Sequence, residues 1–408
     1  MSTESLPDTV YDAWIATLAN LVAVRSPMAA PLYQRLVARD DWPAPQRAKL
    51  LSLASWLGAN ALPGDTPTIG SNEIAFGVMG YLTPDNSQTS RNIGDWVQTM
   101  SLMSHLIRRP DVELTGREDL VGAFTSAKQA IPRENQISGP SAQVHLVEFN
   151  RDATLYDALP ENTWAFVFGW FMKRIYGAGE QIPLHPNLNP VFISFHISHP
   201  RFLTAAAVEY LKEHAPVGCR DWHTVRLLTD RGIPAYFSGC VTTTIGSLFP
   251  TAEPNPSNPI AYVDVEPPTD AQNVVRLKNL DDRLRKRPLA ESLTQAYERI
   301  DAYRNDYSEV VTGRLHAFLP AESCGVKVQW EPSDPNDRRF DGLIGTDAPP
   351  RHEIRTRISE IVRTVLDGIL AGATPEEVRR IHAAEVQSDL EIAAARLASD
   401  ATLTSSKN

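Results

Sequence analysis

Three short stretches carry side chains whose types and spacing suit chemistry. The first is Arg314-Leu315-His316 inside Ser308–Trp330. Val310 and Val311 read as a short buried strand, and Gly313 as the turn that ends it. A helix through Ala317, Leu319 and Ala321 should stop at Gly325, with Val326 and Val328 in the next strand. Pro320 has no N–H to donate, so it belongs in the first helical turn. Arg314, Leu315 and His316 then fall at the helix N-terminus, where free N–H groups and the positive dipole end favour an anion. An arginine and a histidine there make an anion-binding and proton-transfer pair, or else a surface residue and a helix cap.

The second stretch is Gly218-Cys-Arg-Asp-Trp-His223, at a strand-to-helix junction. Asp221 is a suitable N-cap, and Arg220 is placed to reach an anion or a surface carboxylate. The third is Asn92-Ile-Gly-Asp95, a tight turn into a helix. Gly94 would let a ligand approach the backbone. Asp95 could cap that helix or accept a proton from a sugar hydroxyl.

Other candidates are weaker. His196 and His199 lack a third ligand at metal-binding spacing, so we assign no metal. The run Arg283, Arg285, Lys286, Arg287 is balanced by Asp281 and Asp282 and reads as a solvated face rather than a lipid-phosphate contact. Trp164, Trp170 and Trp222 fit core packing better than sugar stacking. The chain has no GxGxxG, Walker A, GxSxG or HExxH motif.

Elements must position these residues. Residues 10–62 show helical spacing of apolar side chains, including Tyr11, Trp14, Ile15 and Leu18. From Glu73 onward, strands alternate with helices. Strands are expected at 74–82, 144–149, 165–168, 191–197, 217–220 and 235–237. Helices are expected from Asn92 to Leu106, from Thr204 to His214 and from Trp222 to Asp230. A proline-rich connection, 247–258, precedes a strand at 260–265 and a long polar helical region, 269–305. Two helices, 352–371 and 375–397, and a polar tail end the chain. This β–α alternation implies mostly parallel, doubly wound sheets, whose ligands sit at the carboxyl ends of strands. The expected division is 1–72 helical, 73–246 and 259–350 Rossmann-like, and 351–408 helical.

At 408 residues the chain exceeds one ordinary core. Its net charge of −10 argues against a general nucleic-acid binder. Cys219, Cys240 and Cys324 form no CxxC. Residues 1–9 are polar without a signal-peptide pattern, and no apolar run reaches the roughly 20 residues that span a bilayer. We expect a soluble cytoplasmic protein, with peripheral membrane contact as the variant.

Together the three stretches resemble the polysaccharide pyruvyl transferase family. Arg314-Leu315-His316-Ala317 after Val-Val-Thr is similar to its R-L-H motif, 218–240 to its middle segment, and Asn92–Thr99 to its N-x-G-D-x-x-Q signature. The chain departs from the pattern at Ser238-Gly239, where many relatives carry Asp-Pro, and at Gly325-Val326-Lys327, where many carry Gly-Val-Pro. The resemblance implies a GT-B-like fold, two Rossmann-like domains facing a cleft. It implies transfer of the enolpyruvyl portion of phosphoenolpyruvate to a saccharide, free or lipid-linked, in cell-surface glycan synthesis. No cofactor is implied. Arg220, Leu315 and His316 carry over to donor binding and catalysis. Arg314, Asn92, Gly94, Asp221, His223 and Ser238 join them as substrate contacts. A histidine of near-neutral pKa at 316 suits the general acid, and Asp95 the base for the acceptor hydroxyl. The rival readings are a nucleotide-sugar glycosyltransferase in the same cleft and a non-catalytic glycan-binding relative.

Overall fold

A computed structural model describes residues 6–23, 26–54, 57, 66–82, 89–152, 154–171, 181–253, 255–345 and 348–405. Parts of the expected 10–62 helical segment, of the 83–91 loop, of the 247–258 connection and of the polar tail lie outside these residues.

Three helices come first: α1 (Asp8–Ala23), α2 (Ala29–Val37) and α3 (Ala44–Ser52). They enclose their own apolar cluster around Tyr11, Leu18, Trp42 and Leu50, against which Leu155 of the following body packs. The body begins with β1 (Glu73–Gly80), α4 (Ile93–Ile107), β2 (Val112–Gly116), α5 (Glu118–Gln129), β3 (Ala142–Asn150), β4 (Thr163–Trp170) and β5 (Leu188–His196). It continues with α6 (Ala205–Glu213), β6 (Val217–Cys219), α7 (Trp222–Thr229) and β7 (Ala235–Phe237). These strands form a seven-stranded sheet in the order β2-β3-β1-β4-β5-β6-β7, parallel at every pairing. Runs such as Ala75–Gly80 and Ala165–Phe168 are apolar without alternation because helices cover both faces of a parallel sheet.

The second unit contains β8 (Ile260–Val263), β9 (Val274–Leu277), α8 (Leu289–Asn305), β10 (Glu309–Thr312), α9 (Leu315–Ser323) and β11 (Lys327–Trp330). Its four strands are ordered β11-β10-β8-β9, again all parallel. The expected 269–305 helix is corrected. Val274, Val275 and Leu277 form β9, and the helix starts only after Pro288. The chain closes with α10 (Arg351–Leu370), α11 (Pro375–Glu385) and α12 (Gln387–Ser405), so the single helix expected at 375–397 breaks at Val386.

One continuous apolar core runs from Ala75 to Ala393 through both sheets and the last helices. A 3₁₀ helix, Val241–Leu248, is buried where α4, α9 and α10 meet. Fully buried Arg109 on the turn after α4 pairs with Asp367 on α10 at 2.5 Å. The two units are also joined by backbone bonds just before α4: Ile93 N–H donates to Asn279 O at 3.0 Å, and Asp281 N–H to Arg91 O at 2.8 Å. Among the described residues, no helix is long and apolar enough to cross a membrane.

Candidate functional site

In the seven-stranded sheet the order reverses at β1, which lies between β3 and β4. Crevices at the carboxyl ends of strands near such a reversal are the usual ligand sites of open α/β sheets. A cavity of about 1060 Å³ lies there. Tyr81, Arg151, Trp170 and Arg220 line it from the ends of β1, β3, β4 and β6. Asp264, Asn279, Arg314 and Glu331 line it from the ends of β8, β9, β10 and β11. Both sheets therefore point their carboxyl ends into one cleft.

Arg220 is 3% exposed, yet it lines this cleft. Its backbone N–H is fixed to Phe195 O at 2.8 Å. Its Nε lies 3.6 Å from Asp221 Oδ2, beyond hydrogen-bond distance. Nε and Nη2 are buried and have no acceptor in the protein. A buried guanidinium with unmatched donors is costly unless an anion completes it. Asp221 is the expected N-cap of α7, accepting from Thr224 N–H at 2.9 Å. It also holds His196 Nδ1 at 2.5 Å. Burial raises its pKa, but His196, Arg220 and the Thr224 N–H together hold it below the usual carboxylate range. Asp221 is fully buried beneath the cleft, so its expected role as a substrate contact is corrected to support of Arg220.

α9 begins as expected after the turn at Gly313, with Arg314 at its N-cap. Pro320 sits further in than the first turn of that span, but the helix is interrupted at His316, with φ −86° and ψ 19°. The regular turns thus restart beyond His316. The kink accommodates a proline whose missing N–H would have paired with the His316 carbonyl. His316 Nε2 is buried without a partner and the residue lines the cleft. Burial, then the charges of Arg220 and Arg339, hold its pKa down to about 3. The expectation of a near-neutral imidazole is corrected: neighbouring cations and desolvation favour the neutral ring. Arg314 is exposed and ion-paired to Asp264 Oδ2 at 2.7 Å, at the cleft rim beside Leu315.

The N-terminus of α4 meets that of α9. Its cap is Asn92, whose Oδ1 accepts from Gly94 N–H at 3.1 Å, so Asp95 is not the cap. Asp95 lines the cleft and accepts from Ser90 Oγ at 2.6 Å. Gly94 packs directly on α9. A Cβ there would stand 2.8 Å from His316 Cβ.

Two expected contacts lie away from the cleft. His223 Nε2 meets Ser198 O at 3.0 Å. Ser238 Oγ is buried between strands, accepting from Ser194 N–H at 2.9 Å and donating to Cys219 O at 3.1 Å. Of Arg220, Asp221, His223 and Ser238, only Arg220 lines the cavity. His196 is fully buried, His199 caps the 3₁₀ turn Pro200–Phe202, and Trp222 stacks on Phe237. No cluster of three or more metal-ligating side chains occurs among the described residues.

Sequence reasoning missed Gln98, Arg151 and Arg339 as cleft residues, and its assignment of Trp170 to the core is corrected, since that side chain is exposed in the cleft. Gln98 had a signal, as the last residue of the N-x-G-D-x-x-Q pattern. Arg339 is in the short 3₁₀ turn Arg338–Phe340 and had none.

Comparison with known proteins adds no relative: no family model, no curated protein and no solved structure matches the chain.

Proposed function

We propose that the chain is a transferase that moves the enolpyruvyl portion of phosphoenolpyruvate onto a saccharide, forming a pyruvate ketal and releasing phosphate. The reading joins the three-motif resemblance to one observation. Arg220 and His316, 96 positions apart in sequence, present unmatched buried nitrogens to the same cleft. A small, multiply charged anion satisfies both, since carboxylate and phosphate accept from a guanidinium and from helix N–H groups. A GT-B-like arrangement belongs to this reading, with two parallel sheets opening on one cavity.

One acceptor hydroxyl adds to C2 of the donor, and its proton ends on the methylene carbon, which becomes methyl. A second hydroxyl displaces phosphate, which carries away the second proton. Arg220 holds the anion and offsets charge on the leaving phosphate. His316 is neutral in the free protein, and the anion's charge beside it raises its proton affinity, so donor binding loads the acid. Asp95, on the α4 side, is the acceptor-hydroxyl base.

The test is incubation with phosphoenolpyruvate and a panel of glycosides, reading phosphate release and a mass gain on the sugar. His316→Ala should lower turnover by orders of magnitude with the fold retained. Stabilisation by nucleotide sugars but not by phosphoenolpyruvate in a thermal-shift assay would move the protein to the glycosyltransferases.

A further inference from the structure

The part of the cleft lined from β3, β1 and β4 differs in character from the Arg220 side. Gly169 in β4 has φ +81° and sits at a register shift against β5. Such a bulge re-aims the side chain that follows it. Here that residue is Trp170, which lines the cleft with 37% of its surface exposed, although the rest of β4 is buried. The glycine also makes room for an amide: a Cβ at 169 would lie 3.1 Å from Gln98 Oε1. That oxygen is buried and unpartnered, on a side chain only 1% exposed. Asp95 and Gln98, three residues apart, share the cleft face of α4.

Arg151 completes the group. Asp152 takes its Nε and Nη2 at 2.8 and 3.0 Å, and its guanidinium lies 4.7 Å over the Tyr81 ring. Nη1 remains buried without an acceptor. Its charge is matched by Asp152 and, further off, by Asp95, and that of Arg339, 5.9 Å from the Trp170 ring centre, by Asp337, so this end does not select an anion. β3 and β6 are four strand spacings apart in the sheet order, about 19 Å at the usual interstrand distance, and Trp170 at the end of β4 stands between them, two spacings or about 10 Å from β6. A donor anion anchored at Arg220 leaves this end free.

We infer that this end is a subsite for a neutral pyranoside. The indole of Trp170 is the platform for a sugar face. Gln98 Oε1 accepts from one hydroxyl and Arg151 Nη1 donates to another. An exposed aromatic face beside single, unmatched donors and acceptors is the chemistry that recognises an uncharged polyol. The inference rests on the two-substrate reading of the cleft, with this end holding the acceptor.

The experiment measures binding to the full chain by saturation-transfer NMR and calorimetry. The probes are neutral methyl hexopyranosides, the matching glycosyl phosphates and uronosides, and nucleotide sugars. Neutral glycosides should bind, and Trp170→Ala should weaken them about tenfold, the loss of one aromatic contact. Gln98→Leu, which removes the unmatched oxygen at similar volume, should weaken them as well. A retained thermal shift with phosphoenolpyruvate in both variants shows an intact fold and donor end. Unchanged affinity in Trp170→Ala, no neutral glycoside bound by the wild type, or binding only of charged or nucleotide-linked sugars overturns the inference. The donor reading fails separately, as absence of any phosphoenolpyruvate shift in a wild type that still binds glycoside.

Discussion

Gly94→Ala is the most discriminating perturbation of the site. In isolation it should help, since alanine in a helix is worth up to about 1 kcal/mol over glycine. The packing reverses the sign. The added Cβ would lie 2.8 Å from His316 Cβ, about 0.7–1.2 Å inside an ordinary carbon–carbon contact. Overpacking of this kind costs about 1–3 kcal/mol, so with the full helix gain subtracted the net loss is roughly 0–2 kcal/mol, centred near 1. The N-terminus of α9 must retreat by a similar distance, and a displacement near 1 Å at a reacting group can cost on the order of 100-fold in turnover. Thermal unfolding and steady-state rates measure the two effects. Second-site changes identify the cause. Because the contacting atom is the histidine Cβ, His316→Ala leaves the clash in place, whereas His316→Gly removes it. Stability should therefore recover in Gly94→Ala/His316→Gly and not in Gly94→Ala/His316→Ala. Native stability and turnover in Gly94→Ala alone would refute the idea that α4 positions His316.

Three further outcomes are expected. Arg220→Met should weaken the donor at least about 100-fold, through loss of two charge-assisted hydrogen bonds, and should also lower ligand-free stability, because buried Asp221 loses the cation 3.6 Å away; titration calorimetry and thermal unfolding separate the two. Donor binding at pH 6 should take up protons, because His316 at about 3 in the free protein is raised by the anion; calorimetry in buffers of different ionisation enthalpy, corrected for donor phosphate ionisation near 6, reads this, and zero uptake would remove His316 from the acid role. His382, bonded to Tyr236 Oη at 2.9 Å, is held by burial at about 4 against 6.5 unfolded. Its contribution is complete above pH 6.5 and lost as pH falls toward 4, about 3 kcal/mol in all, since only the unfolded ring takes the proton in that window. His382→Asn should give a shallower fall of denaturant-measured stability between those pH values.

Neighbouring residues specify the local structure around the site. The apolar runs at Ile74–Gly80 and Ala165–Phe168 specify strands buried on both faces. Asp221 and Thr204 cap the helices that follow them, because a short polar side chain can satisfy N–H groups within its own first turn. Val274–Leu277 was read as helix because four residues between polar flanks carry little period. That strand forms only because β8 offers it an edge. Packing between distant elements sets which residues reach the cleft. Asp221, His223 and Ser238 share a motif with Arg220 but turn into the protein, while Gln98, Arg151 and Trp170 arrive from three other elements. It also decided the protonation of His316. Desolvation and the fields of Arg220 and Arg339 depend on atoms remote in sequence, so no reading of neighbouring residues contains them.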